Sequence, residues 1–510
     1  MTVLDGQSLT RAAVWQVARS GDRVTLSDAA RARMVRTRAH VDRIAASGTA
    51  VYGVTTGFGK LADVTIAPEQ VAALQVNLVR SHAAGVGAPL PTDEVRAMML
   101  LRANVLASGH AGVRPAVVEL LLAMLNAGIT PIVPEQGSVG ASGDLVPLSH
   151  LACALIGEGD VLYQGDRQPA ATALRSAGLA PVELAAKEGL ALVNGTQSHT
   201  AIATLALAES WTLWRTAHIA GALSLEALMG TPDAFDDEIQ RVRGQAGQQD
   251  SAALLRALLT DSAIRESHRL RDSRVQDAYA LRCMPQVHGP VLDALRFVTG
   301  LVDRELNAAT DNPLVFEDGT LRAGGNFHGQ VIGMAADVLA IVMTNLAVMS
   351  ERRIDRIVNP DANYGLRPFL ARDPGLESGF MMVQVVAAAL ASECKALAHP
   401  ASVDSIPTDG GKEDVVPMAM HAAVKLRRLV VNVRQVLAIE LLCATQGVED
   451  RAPLQCARPL QPVLAAVRAI VAPLTGDRML NDDLARLAQA VADGTIERAA
   501  AIPDTLAVRT

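Results

Sequence analysis

Apolar residues recur at three- and four-residue spacing through most of this chain, the signature of amphipathic and buried helices. TDEVRAMMLLRANVLASG (92–109) has Thr92 at a capping position, Asp93 and Glu94 in its first turn and Gly109 past its end. PAVVELLLAMLNAG (115–128) sets Pro115 at a first helical position and Gly128 beyond the last. Similar periodicity over 200–230, 289–308, 331–356, 377–399, 416–446 and 460–474 predicts long helices packed in an extended bundle. Strand-like stretches are short, around 161–164 and 314–321, each beside turn residues. There is no internal repeat. The expected fold is mainly α: a smaller, mixed, loop-rich domain over 1–200, then a long central and carboxy-terminal helix bundle over 201–510.

Composition sharpens this picture. Half of the 510 residues are hydrophobic but only 3% are aromatic, so Ala, Leu and Val make the core, which favours close helix packing over a β-sandwich. Net charge is −7 without a long basic run, which excludes an electrostatic footprint for nucleic acid. The five cysteines form no CxxC pair, as expected of a reducing compartment. The amino terminus carries Asp5 and no apolar signal segment, so a cytoplasmic protein is expected. VIGMAADVLAIVMTNLAVMS (331–350) is long enough to span a bilayer, yet Asp337, Thr344 and Asn345 inside it favour a buried core helix. Eleven histidines contain no HxxxH or HExxH pattern, and no metal is expected. Nor is GVTTGFGK a phosphate loop, because five residues separate its glycines and Leu61 stands where Ser or Thr would bind magnesium.

The candidate chemistry lies in PIVPEQGSVGASGDLVPLSH (131–150), a Gly-rich, nearly uncharged loop in an otherwise helical chain. At its simplest it is a tight turn into a helix starting near Asp144. A sharper reading exists. If the turn presses the Gly143 nitrogen onto the Ala141 carbonyl, the backbone can cyclise. Loss of water, including the Ser142 hydroxyl, then leaves an exocyclic methylene conjugated to an imidazolone. Only Gly offers a nitrogen without a crowding Cβ, and a β-hydroxyl supplies the leaving oxygen.

GSVGASGDLVPLSH (137–150) closely resembles the prosthetic-group loop of the aromatic amino acid ammonia-lyases, and among these the histidine-specific members most. YGVTTGFG (52–59), NLVRSHAAGVG (77–87), KEGLALVNGTQ (187–197), VQDAYALRCMPQ (275–286), TDNPLVF (310–316), GGNFH (324–328) and HPASVDSIP (399–407) match as well. The resemblance implies a fumarase/aspartase-like helical fold. It also implies a 4-methylideneimidazole-5-one electrophile formed autocatalytically from Ala141, Ser142 and Gly143, with no external cofactor. Tyr52 would be the base that takes the β-proton, and an ordinary phenol must have its pKa lowered to do so near neutrality. Taken alone, Tyr52 is a packing residue; the family motif reverses that reading. Arg282 would grip the substrate carboxylate with a two-pronged guanidinium. Asn194, Gln276 and Tyr279 would orient the carboxylate, the amine or the electrophile, and Phe327 would wall the pocket. Each is otherwise a satisfied buried polar or packing residue. The family's assembly implies a homotetramer with sites built from three subunits, the Tyr52-type base arriving from a neighbour.

Substrate choice rests on Ser81-His82, the ring-wall pair of histidine enzymes, and on Glu413, whose carboxylate can accept an imidazole N–H. Lys412, Val415, Val416, Pro417, Gln330 and His288 depart from the histidine-enzyme pattern, and Lys412 can neutralise Glu413. The expected reaction is L-histidine to trans-urocanate and ammonia. The alternatives are a tyrosine or phenylalanine ammonia-lyase and an aromatic 2,3-aminomutase. A non-catalytic helical scaffold would require loss of Tyr52, Ser142 or Arg282, and all three are present.

Overall fold

The computed structural model describes residues 1–47, 49–270, 272, 274–500 and 502. The last residues of the 201–510 segment therefore lie outside the described part. The fold is mainly α, as expected. Two compact units are present. One comprises Met1–Leu205, Thr299–Asp337 and Pro400–Val424; the other comprises Ala206–Val298, Val338–His399 and Lys425–Thr510. The chain passes from one to the other inside the helices Gln197–Ala227, Met284–Glu305, Gln330–Val358 and Ala419–Glu449, so neither unit is a single stretch.

The first unit carries the loops. Its helices include Asp28–Ser47, Val71–His82, Thr92–Ala107, Pro115–Ala127, Leu145–Leu155 and Glu188–Val193. Small sheets tie the connections between them: Thr2–Leu4 runs parallel to Val24–Leu26, Val86–Pro89 lies antiparallel to Pro134–Gln136, and Asp160–Tyr163 pairs with both Thr130–Pro131 and Asp166–Pro169. The strand expected over 314–321 is a two-residue hairpin, Leu314–Val315 against Leu321–Arg322. Pro115 does open its helix, and Gly128 closes it at φ +76°. Thr92 is not a cap: the helix already includes it, Pro91 occupies the cap position, and no side chain caps that end. A buried Lys187–Asp311 ion pair (2.5 Å) and the fully buried Arg102 lie in the interior of this unit.

In the second unit the helices pack around Trp211, Trp214 and a buried polar network. The Arg353 guanidinium pairs with Glu440, which also accepts the Ser224 hydroxyl (2.6 Å). Trp214 Nε1 donates to the His288 carbonyl (2.8 Å), and His218 shares a hydrogen bond with Ser251 (2.7 Å). Burial pulls both imidazoles down, His218 to about 4, so they stay neutral in the fold.

Two helices, Gln330–Val358 and Ala419–Glu449, are long and apolar enough to cross a membrane, one more than the sequence suggested. Most of each apolar window is buried, 56% and 78%. The polar residues inside the first have protein partners: Asp337 accepts the Ala401 and Ser402 N–H groups (2.8 and 2.7 Å), and the Thr344 hydroxyl donates to the Ala340 carbonyl (2.8 Å). The Thr344 bond stays within its own helix, but a carboxylate that accepts two backbone N–H groups from another segment is what the core of a folded unit supplies.

Candidate active site

The Ala141–Gly143 turn is held from three sides. Gly143 has φ +74° and forms an isolated parallel bridge with Gly195, whose own φ is +151°. A Cβ on Gly143 would collide with the Gly195 backbone, so glycine is required for conformation and for space. The Asp144 N–H donates to the Gly195 carbonyl (2.7 Å). Asn194 Nδ2 donates to the Ser142 carbonyl (3.1 Å), while Asn194 Oδ1 is buried without a partner. Arg102 Nη1 donates to the Asn194 carbonyl (2.9 Å) and fixes that residue from the core; burial lowers this guanidinium to about 10.

Asp144 does more than open its own helix. Its carboxylate accepts the Ser138 hydroxyl (2.8 Å) and the Ser198 and His199 backbone N–H groups (2.9 Å each). It therefore caps the helix Gln197–Ala227, whose free N–H groups and positive end favour an anion there. The reactive turn is thus clamped between two helix starts.

Ser142 faces a cavity of about 510 Å³. Its hydroxyl donates to Glu413 Oε1, and the other Glu413 oxygen accepts the Thr408 hydroxyl (2.6 Å). Ser81 and His82, at the end of helix Val71–His82, form another wall. His82 Nδ1 lies 2.9 Å from the Leu78 carbonyl and 3.0 Å from the Ser81 hydroxyl. Leu61, Val64, Ile66, Leu74, Leu145 and Leu190 supply the apolar lining.

Tyr52 lines this same cavity, on a loop fixed by the buried Val54 and by Thr55, whose hydroxyl donates to the Thr49 carbonyl (2.6 Å). This placement corrects two expectations. Tyr52 reaches the pocket containing Ser142 of its own chain, because the short loop from 49 to 58 is anchored in the core that borders it; no neighbour is needed to deliver it. Nor is the phenol's pKa lowered within this chain. Burial pushes it up, and Asp409, Glu413 and Asp311 push it further, against a single opposing hydrogen bond from the Gly59 N–H (3.5 Å).

Other expected residues do not line this cavity. Phe327 is half-buried in the turn before helix Gln330–Val358, two residues from Gly329, whose N–H donates to the Gly140 carbonyl (2.9 Å). Gln276, Tyr279 and Arg282 belong to the second unit. Gln276 is exposed, Tyr279 is 70% exposed, and the Arg282 guanidinium sits 4.8 Å from the Tyr279 ring centroid with Nε buried and unpartnered. Asp409 and Arg102 were not foreseen. The sequence signals for them were a carboxylate four residues before Glu413 and a lone Arg in the apolar run MMLLRANVLA. No group of three or more His, Cys, Asp or Glu side chains fit to hold a metal occurs among the described residues.

Residues 9–469 match the model of a family described as aromatic amino acid lyase. The chain belongs to that family. Membership makes it a carbon–nitrogen lyase. It is 53% identical to a histidine ammonia-lyase of Anaeromyxobacter dehalogenans over 97% of this chain and 99% of that one. Among solved structures it resembles the histidine ammonia-lyase of Trypanosoma cruzi, with TM-score 0.91 and 41% identity over 99% and 96% of the two chains. It also resembles a tyrosine aminomutase of Streptomyces globisporus, with TM-score 0.93 and 39% identity over 98% of each. The lyase turn meets two demands of the family's prosthetic group on its own geometry: a cradle that a Cβ would fill at Gly143, and an orphaned buried amide oxygen on Asn194 beside Ser142.

Proposed function

We propose that this chain is a histidine ammonia-lyase that converts L-histidine to trans-urocanate and ammonia in the cytoplasm. The observation carrying the reading is a carboxylate, Glu413, hydrogen-bonded to the Ser142 hydroxyl in a pocket that His82 also lines. Ala141, Ser142 and Gly143 would form the 4-methylideneimidazole-5-one group, which supplies an electrophile that makes ammonia a better leaving group. Asn194 holds the carbonyl of the turn, and its free Oδ1 is available to an ammonium. Glu413 accepts a ring N–H, and Ser81 and His82 complete the ring wall. Tyr52, once ionised, takes the β-proton. Its raised pKa means that further positive charge must reach the pocket.

Arg282 is the source we assign. In a homotetramer with shared sites, a neighbouring copy brings Arg282 to the substrate carboxylate, Gln276 and Tyr279 to the amine side, and Phe327 to the wall. Its buried, unpartnered Nε and its guanidinium near the Tyr279 ring suit a preset fork awaiting a carboxylate.

A second reading, a tyrosine-specific lyase or 2,3-aminomutase, is favoured by the likeness to the tyrosine aminomutase fold. Incubation of the pure protein with histidine, tyrosine and phenylalanine separates the readings. Urocanate absorbance appearing with histidine alone supports ours; coumarate, or a β-amino acid found by chromatography, replaces it.

A further inference from the structure

The role of Tyr52 as the base leaves open what holds that phenol in place, and the cavity mouth answers. Two short turns meet there, Gly59–Leu61 and Asp409–Gly411. Asp409 Oδ1 accepts the Lys60 N–H (3.2 Å). A Cβ on Gly59 would strike the Asp409 carboxylate, so that side chain lies directly against the Gly59 backbone, and Gly59 itself adopts φ +53°, where glycine is favoured. The next N–H along, that of Gly59, points at the Tyr52 hydroxyl oxygen (3.5 Å). Asp409 itself adopts φ +49°, an unfavourable conformation for a residue with a Cβ.

We propose that Asp409 is a positioning residue: its carboxylate pins the Gly59–Lys60 backbone and so aims the Gly59 N–H at the oxygen of Tyr52. The proposal rests on Tyr52 being the base. Asp409 then acts in two opposing ways. Through the backbone it supplies a donor that favours the phenolate; through its charge it disfavours it, together with Glu413 and Asp311. The cations nearest in the chain do not cancel this. Lys187 is committed to Asp311, and Lys60 and Lys412 are absent from the pocket lining.

Asp409→Asn keeps an oxygen that can accept the Lys60 N–H but removes the charge; Asp409→Ala removes both. Three readouts apply: amide exchange of residues 57–62 by mass spectrometry, titration of Tyr52 by ring-labelled tyrosine NMR assigned with Tyr52→Phe, and the pH profile of kcat and KM. In Asp409→Ala we expect faster exchange of that segment and a kcat lowered about ten-fold with KM changed little. In Asp409→Asn exchange stays protected, while Tyr52 titrates about half to one pH unit lower and the acid limb of kcat follows. Unchanged exchange in Asp409→Ala, or an unmoved Tyr52 in Asp409→Asn, overturns the proposal. If Tyr52→Phe retains turnover, the base assignment fails instead, and the exchange and NMR readouts still decide whether Asp409 positions the phenol.

Discussion

Replacing Gly143 by Ala tests whether the turn is built for cyclisation. The added Cβ has two costs. At φ +74° a residue with a side chain pays about 1–2 kcal/mol for the left-handed conformation. The Cβ also meets the Gly195 backbone, and relieving such overlap in a packed site costs about 1–3 kcal/mol more. Gly195 has no room to retreat, because Arg102, Gln197 and Thr310 press on its other side and the Asp144 N–H holds its carbonyl. Together these terms reach about 2–5 kcal/mol, which depletes the cyclisation-ready turn roughly 30- to several thousand-fold. The assay is the intact mass, which on the proposed function should fall by two waters as the turn matures, followed with the near-ultraviolet absorbance of the new ring. Gly128→Ala is the control. Gly128 has nearly the same φ, +76°, but open space within 4 Å of where a Cβ would sit, so it pays only the same conformational part, about 1–2 kcal/mol, and should mature fully. A Gly143→Ala protein that loses both waters as completely and as fast as Gly128→Ala would refute the argument.

Ser142→Ala should fold, since the lost side-chain hydrogen bond goes only to Glu413, but keep its full unmodified mass and lose turnover; intact mass and urocanate absorbance check both. Glu413→Gln should lower histidine turnover about ten- to a hundred-fold more than tyrosine turnover, the value of one charge-assisted hydrogen bond, and equal losses in steady-state kinetics would exclude that role. If the site is shared in a homotetramer as proposed, dissociation should abolish turnover, read by activity against light scattering on dilution, and a fully active monomer would exclude the shared site. Glu226 is buried with its carboxyl raised to about 7, so between the unfolded value near 4.5 and 7 the folded state holds a proton that the unfolded state has released, and stability falls as pH rises. Glu226→Gln, which can still accept the Ser262 hydroxyl (2.8 Å in the parent), should therefore raise the melting temperature above pH 7, worth up to about 3 kcal/mol, and make no difference near pH 4.5.

Much of this was legible because helices advertise themselves locally. The periodic runs at 115–128 and 331–356 became Pro115–Ala127 and Gln330–Val358. Thr92 was misplaced because a capping residue and a first-turn residue look alike when Pro91 precedes them. The site was legible where one motif holds both partners, as in Ala141–Gly143. It was hidden where partners are distant in sequence. Asp144 reads as the start of its own helix, yet its carboxylate serves N–H groups at 198 and 199. The rise in the Tyr52 pKa comes from burial and from carboxylates at 311, 409 and 413, none visible around YGVTTGFG.

Charge explains why this pocket needs more than it contains. Its lining includes two carboxylates, Asp409 and Glu413, and no lysine or arginine among the described residues. Such a wall suits an ammonium and an imidazole N–H, but an amino acid also brings a carboxylate, and burying three negative groups together is costly without a cation. Burial raises the Tyr52 pKa, and the same excess of carboxylates raises it further. One guanidinium solves both problems: it pairs with the substrate carboxylate and offsets the field that opposes the phenolate. Arg282, with a buried donor still unused and no place in this lining, is suited to that part, which is why the proposed function has a neighbouring copy bring it. On the proposed roles of Tyr52 and Arg282, substrate binding and activation of the base would be one event, since the positive charge that anchors the substrate also favours the phenolate.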